Sequence, residues 1–259
     1  TEQCNLRCTY CCYSGNYVNN RTHSTKYMES GDIVSIFDFI DKMSHNREIR
    51  ISFYGGEPMI KYTLIQYAVD LGYKKWGDNV TFSISTNGVL LTPTVIDWLV
   101  VNNIELAISI DGAEGYHDKH RIDKRGNGSF SRIRSALAYL NINYPEYYYG
   151  ITIMMTLPSF KTIGVIAESW HNDPLLKDLS PTMINGLAPN FSSGVEKIEY
   201  EDVRGVYNGL LDLYHKYPDW NVLRVFFNQC IAYWKDRPII STIGTVPMAT
   251  CMPVNTKLF

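Results

Sequence analysis

No apolar run in these 259 residues approaches the roughly 20 that a bilayer-spanning helix needs, so no membrane partner is expected. A surplus of charge is also missing. The formal net charge of −2 gives neither nucleic acid nor an anionic lipid surface an electrostatic hold. No signal peptide opens the chain, which starts at Thr1 and not at a methionine, so we expect a segment cut from a longer, cytoplasmic protein. Internal repeats are absent. Cysteine is scarce, with six in the whole chain, too few for a disulfide scaffold at this length. Four of the six fall within positions 4–12, a clustering that favours metal in a reducing compartment. What the chain does have is apolar material: at 45% hydrophobic it can bury one large core.

Apolar segments of two kinds alternate. Residues 49–54, 80–86, 104–110, 147–156 and 182–187 are rich in β-branched or aromatic side chains and bounded by turn residues, which predicts strands. Between them, Ile33, Ile36, Phe37 and Ile40 share one helical face. Thr92 and Pro93 form an N-cap and first-turn pair ahead of Val95, Ile96 and Leu99. Further helices are expected near 61–74, 131–140, 162–171 and 202–214. Such alternation demands parallel strands joined by helical crossovers, an α/β fold. Past about residue 220 the rhythm stops, which divides the chain into a 1–220 core and a 221–259 bridge into a further region.

The chemistry-bearing motifs fall at the ends of the predicted strands. Cys4, Cys8 and Cys11 stand in a C-x3-C-x2-C run. Three thiolates on one short loop can hold three irons of a [4Fe-4S] cube and leave the fourth iron without a protein ligand. A cube built for electron transfer is normally closed by four cysteines. The alternative is zinc, which needs a further Cys or His; Cys12 is adjacent to Cys11 and would point away from it. Gly55-Gly56-Glu57-Pro58 follows the strand at 49–54. Taken alone it reads as a turn, with glycines for unusual φ angles and Pro58 opening a helix. Ser85-Thr86-Asn87-Gly88 is a polar turn or a ligand contact. Ser109 and Asp111 share parity at the end of the next strand. His117-Asp118-Lys119-His120-Arg121 leads to Gly126-Asn127-Gly128-Ser129-Phe130, where the glycines and Ser129 are expected to start a helix. Met154, Met155, the tyrosines at 147–149 and Cys230 read as core.

Together these motifs resemble the radical SAM superfamily, in its SPASM-type branch with C-terminal auxiliary clusters. Asn5, Leu6, Arg7 and Tyr10 match the signature around the cysteines. The resemblance implies a partial (β/α)6 TIM barrel, with its first strand before Thr1 and the start of a SPASM region after the core. Ligands would then sit at the C-terminal ends of the strands. It further implies S-adenosylmethionine (SAM) on the open iron. Gly55, Gly56 and Glu57 would hold the methionyl amino group, and Arg121 would clamp the carboxylate with a planar fork. Ser109 and Asp111 would face the ribose, with Ser85 and Asn87 near by, and Tyr10 and Leu187 would flank the adenine. Cys251 would open the ligand set of an auxiliary [4Fe-4S] cluster, although Val254 stands where the branch usually has glycine.

The implied activity is reductive cleavage of SAM to a 5′-deoxyadenosyl radical that takes hydrogen from a peptide or protein substrate, with flavodoxin or ferredoxin as electron donor. A maturase forming a thioether or carbon–carbon crosslink in a ribosomally made peptide (a RiPP) is the first expectation. An anaerobic sulfatase maturase making formylglycine is the second, and a small-molecule dehydrogenase the third. From another class, a non-catalytic iron–sulfur or zinc module would fit the cysteines but not the strand-end motifs.

Overall fold

Five parallel strands lie side by side in chain order: β1 (Ile49–Phe53), β2 (Val80–Thr86), β3 (Glu105–Ser109), β4 (Thr152–Leu157) and β5 (Pro181–Gly186). The structure, a computed structural model, describes residues 1–15, 22–45, 47–157, 159–186 and 200–235. Parallel neighbours need crossovers, and helices supply them. α1 (Ser30–Ser44) precedes β1, α2 (Tyr62–Trp76) joins β1 to β2, and α3 (Pro93–Val101) joins β2 to β3. Between β3 and β4 come α4 (Glu114–His120), α5 (Phe130–Asn143) and α6 (Pro145–Gly150). α7 (Ile163–Asn172) leads to β5, and α8 (Tyr200–Lys216) and α9 (Asn221–Lys235) follow it. Strand order that never reverses is the order of a barrel wall, whereas a doubly wound sheet reverses part-way. The α/β, partial-barrel expectation therefore holds, with five strands among the described residues and the wall left open.

The two faces of this wall differ in chemistry. Along β2, Val80, Phe82, Ile84 and Thr86 are buried while Thr81, Ser83 and Ser85 are half-buried. The buried set joins Ile108, Ile153 and Met155 of β3 and β4 under Ile96, Leu99, Ile133, Leu137 and Trp170 of the helices. Each such Leu or Ile contributes about 1.5–3 kcal/mol by leaving water. The other face carries Ser52, Ser83, Ser85, Ser109, Met154 and Thr156, aligned by the strand register. Met154 apart, these side chains are small and polar, suited to lining a cavity.

Local signals explain most boundaries. Thr92 caps α3 by accepting from the Val95 amide at 3.4 Å, with Pro93 in the first turn as expected. Ile33 and Phe37 of α1 are buried, with Ile36 and Ile40 packed beside them. The segment 147–156 needs correction, because its first residues are helical. Pro145 sets a helical φ at the start of α6. The Tyr147 and Tyr148 hydroxyls then donate to the Ile104 and Leu175 carbonyls, contacts that override the β preference of a tyrosine run. After residue 220, Val222, Leu223, Phe226 and Phe227 of α9 pack into the main core. No helix among the described residues is long and apolar enough to cross a membrane.

Candidate cofactor site

The cysteine loop lies across the C-terminal ends of the strands and is pinned at both margins. Its entry runs along the β1 turn, where the Gly56 amide donates to the Thr1 carbonyl at 2.8 Å and the Glu57 amide to the Gln3 carbonyl at 2.7 Å. A Cβ on Gly55 or Gly56 would land on the Thr1 or Gln3 carbonyl oxygen, so the glycines are first required for this close approach. Its middle is tied to residues 120–123: the Arg7 amide donates to Ile122, the Thr9 amide to His120, and Leu6 bridges to Asp123. Leu6 is buried beneath the loop, and Arg7 Nη1 donates to the Cys4 and Leu6 carbonyls at 2.8 and 2.6 Å. Three half-buried thiols are thereby held on a fixed frame.

Those thiols differ in environment. Cys4, Cys8 and Cys11 are free thiols. Burial pushes the Cys8 thiol up to about 12, with the Arg121 charge opposing. Burial also raises Cys4. Cys11 is held down at about 6 by a hydrogen bond from the Cys12 thiol against the effect of burial, helped by the Tyr13 amide and His23. Cys12 thus does not point away from Cys11 as expected; the tight turn closed by the Cys11 amide on the Cys8 carbonyl lets the two thiols meet.

Glu57, fully buried, is a hub linking β1 to β2. Its carboxylate accepts from the Met59 amide at 3.0 Å, Thr86 Oγ1 at 2.7 Å and the Asn87 amide at 2.7 Å. Burial still raises its pKa, with these bonds opposing. Asn87 is used internally too. Its Oδ1 accepts from the Val89 amide, and its Nδ2 reaches Asn5 Oδ1 at 2.7 Å and Cys4 Sγ at 3.9 Å. Ser85 and Ser109 stand half-buried on the polar face of the wall.

The strongest electrostatic feature is a buried ion pair at the end of β3. Arg121 donates from Nε to Asp111 Oδ2 at 2.7 Å and from Nη2 to Oδ1 at 3.1 Å. Their side chains are 9% and 2% exposed, so solvent does not screen the pair. The Tyr10 hydroxyl also donates to Oδ2, and the Thr156 amide to Oδ1 at 2.9 Å. Asp111 therefore has four donors, and the ribose contact expected of it finds its acceptors taken. Instead of leaving the strand beside Ser109, its side chain folds across to the β4 backbone. Burial works against the charge on Arg121, but the Asp111 carboxylate outweighs it and the pKa is raised. Tyr10 is likewise pushed well above its ordinary value by burial and by Asp111. Of the five guanidinium N–H groups, Asp111 takes two along one side. The two at the outer end remain a planar fork for a second carboxylate.

Residues 117–130 form the support for that pair. The Asp111 amide donates to His117 Nδ1 at 3.3 Å, so the ring proton sits on Nε2 and goes to Ser129 Oγ at 3.0 Å. Ser129 Oγ passes its own proton to the Arg121 carbonyl at 2.7 Å. Burial holds His117 down at about 4, consistent with a neutral ring. Asp118 accepts from the Ser129 and Phe130 amides at 2.7 and 2.8 Å, starting α5 as expected, and a Cβ on Gly128 would strike its carboxylate. His120 pairs with Thr9 at 2.8 Å on the cysteine loop.

The structure thus brings together Cys4, Cys8, Cys11, Tyr10, Gly55, Gly56, Glu57, Asn87, Asp111 and Arg121 around one loop. Leu187 and Cys251 lie outside the described residues. Sequence reasoning missed the Tyr10–Asp111 link and the roles of Asn5 and Cys12; of these, only adjacency to the cysteines marked Asn5 and Cys12 in advance. The donor set suits a [4Fe-4S] cube with an open iron: three free thiols sit on one rigid loop, the Tyr13 amide donates to Cys11 Sγ at 3.4 Å, and an amide N–H is aimed at Cys4 Sγ. Among the described residues no group of three His, Cys, Asp or Glu side chains is already closed around a single ion.

A profile of the radical SAM superfamily matches residues 1–162. The chain is 31% identical over 153 residues to a cysteine-type anaerobic sulfatase-maturating enzyme of Clostridium novyi, covering 57% of this chain and 40% of that one. It is 25% identical over 152 residues to the radical SAM cyclopropyl synthase TigE of Paramaledivibacter caminithermalis, covering 55% and 32%. In both cases it spans less than half of the relative's length. Among solved structures, native anSMEcpe with bound AdoMet superposes with a TM-score of 0.67 at 20% identity, over 83% of this chain and 59% of that one, a likeness of fold. With more than half of its residues matched to the family, the chain belongs to the radical SAM superfamily, enzymes that work with a [4Fe-4S] cluster and SAM.

Proposed function

We propose that this chain is the SAM-cleaving core of an enzyme that modifies a peptide side chain, and that its product is a thioether or carbon–carbon crosslink in a ribosomally made peptide. One observation carries the reading: three free thiols, the Glu57 hub and the Asp111–Arg121 pair converge at the strand ends of an open, polar wall. With Cys4, Cys8 and Cys11 as its ligands, a bound [4Fe-4S] cluster would supply the electron, drawn from a flavodoxin- or ferredoxin-type donor, for the reductive cleavage of SAM that starts hydrogen abstraction from the substrate.

The chain's own residues orient the parts. Cys4, Cys8 and Cys11 hold three irons. The outer fork of Arg121 takes the SAM carboxylate while Asp111 keeps the guanidinium plane fixed. Glu57 acts on the amino group through the turn it locks, presenting the carbonyls of Gly55 and Gly56. Ser85 and Ser109 offer hydroxyls from the polar face, and the Tyr10 ring stands beside the guanidinium at 5.5 Å. Leu187 beside the adenine and Cys251 on an auxiliary cluster belong to the same reading, as does a reducing, cytoplasmic setting.

Similarity to the Clostridium novyi sulfatase maturase favours a second reading, oxidation of Cys or Ser to formylglycine on a protein substrate. Iron-reconstituted, reduced full-length protein should form 5′-deoxyadenosine from SAM, and Cys8→Ala should abolish it. Undiminished cleavage by that variant would sink the cluster assignment. Given a sulfatase peptide, carbonyl formation at its Cys or Ser would select the second reading; crosslinking of a cysteine-rich precursor peptide would select the first.

A further inference from the structure

We propose that Asn87 tunes the cluster: its side-chain N–H, held on Cys4 Sγ, raises the cluster's reduction potential. The inference rests on the reading of Cys4, Cys8 and Cys11 as ligands of a [4Fe-4S] cube.

The orientation of the amide is fixed by its neighbours. Asn87 Oδ1 accepts from the Val89 amide at 3.1 Å, so Nδ2 must face the other way. There it finds two acceptors for its two protons, Asn5 Oδ1 at 2.7 Å and Cys4 Sγ at 3.9 Å. The backbone is equally constrained: the Asn87 amide donates to Glu57 Oε2, and Thr86 donates to the other oxygen of that buried carboxylate, each at 2.7 Å. Asn87 is only 7% exposed, so water does not compete for the contact. Asn87 therefore has no rotamer freedom with which to reach a ligand. Its one outward-directed proton points at sulfur.

Direction follows from charge. A thiolate bound to iron is only an acceptor. Asn5 Oδ1, 4.0 Å from Cys4 Sγ, can pair with the thiol proton but offers nothing to the thiolate. The Asn87 N–H gains in the same change. Reduction adds an electron to the cube and its sulfurs, which strengthens an N–H···S bond; the reduced state is favoured and the potential rises. The chain from Glu57 through Asn87 to Cys4 thus links the SAM-facing turn of β1 to the ease of electron entry.

The test is a redox titration of the iron-reconstituted full-length protein, followed by its visible absorbance. Asn87→Ala should carry wild-type iron and titrate at a more negative midpoint, with a smaller reduced fraction at any fixed potential. Asn5→Ala, which leaves the N–H on sulfur, should shift less. An unchanged midpoint in Asn87→Ala at full iron content overturns the proposal. If Asn87→Ala does not hold iron, pulsed EPR of reduced wild-type protein decides, with asparagine isotopically labelled at its side-chain nitrogen. A hyperfine coupling to that nitrogen supports the contact and its absence overturns it. Wild-type protein without an iron–sulfur spectrum would instead bring down the underlying cluster reading.

Discussion

The cysteine loop and the stretch from His117 to Phe130 lie against each other and use their polar groups in opposite ways. In the second stretch, polar side chains facing the site are matched inside the protein: His117 to the Asp111 amide and to Ser129, Ser129 to the Arg121 carbonyl, Asp118 to the amides that start α5. The loop ties its backbone down at Arg7, Thr9 and Cys11 but leaves the Cys4, Cys8 and Cys11 sulfurs free of covalent partners. A segment whose hydrogen bonds close on themselves is a frame, and one that is rigid with spare ligands is a socket. Arg121 belongs to both, because Asp111 takes only one side of its guanidinium.

Removing Arg121 is the largest test of that division short of removing a cysteine. Arg121→Ala leaves the Asp111 carboxylate buried with two of its four donors gone, a loss of about 3–5 kcal/mol by the usual cost of breaking a buried pair. SAM binding should fall as well. Adding Asp111→Asn to Arg121→Ala removes the stranded charge, so the double variant should regain stability, measured by urea unfolding, while SAM affinity stays low. Recovery of both together would mean that Arg121 is frame alone. Unchanged SAM affinity in the single variant would remove it from the socket.

His117 gives a medium-sized test on the frame side. Its folded pKa of about 4 lies below the ordinary value, chiefly through burial, with Arg121 adding and Asp111 and Asp118 opposing. The unfolded chain then binds more protons than the folded one between that value and the ordinary one, so stability falls as pH drops through this window. From pH 7 to pH 5 the loss attributable to this ring is about 2 kcal/mol, taking an ordinary imidazole value of about 6.5. Replacing it by glutamine should flatten that part of the unfolding profile. An equally steep profile in His117→Gln would show that the ring is not held neutral.

Much of this division was legible beforehand. Cysteine spacing marked the socket, and strand–helix alternation marked the wall, because both are local patterns in sequence. Helix starts were legible at Thr92-Pro93 and around Ser129, but the one that Pro145 opens was hidden by the tyrosine run after it. What stayed hidden depends on partners far along the chain. Tyr147 and Tyr148 look like strand residues until their hydroxyls are seen to meet carbonyls 27 or more positions away. Asp111 looks like a ribose ligand until Tyr10, 101 positions earlier, is found donating to it. Gly55 and Gly56 were expected to make room for a cofactor, and the structure shows them first making room for the backbone of Thr1 and Gln3.

The Tyr10 hydroxyl bonds the middle of the cysteine triplet directly to the ion pair, which makes Tyr10→Phe the mildest and most discriminating change. The ring stays beside Arg121, and Asp111 keeps three of its four donors. A hydrogen bond to a charged group contributes about 1.5–3 kcal/mol, with the low end expected here because the remaining donors still satisfy the carboxylate. If the frame holds Arg121 in place for SAM, a slightly looser Asp111 should raise the KM for SAM several-fold and leave kcat for 5′-deoxyadenosine formation unchanged, since nothing at the cluster has altered. A fall in kcat at unchanged KM would place the hydroxyl in the socket, acting on electron entry. An unaltered KM and kcat would mean that Arg121 and Thr156 suffice to fix Asp111, and that loop and frame meet without being coupled.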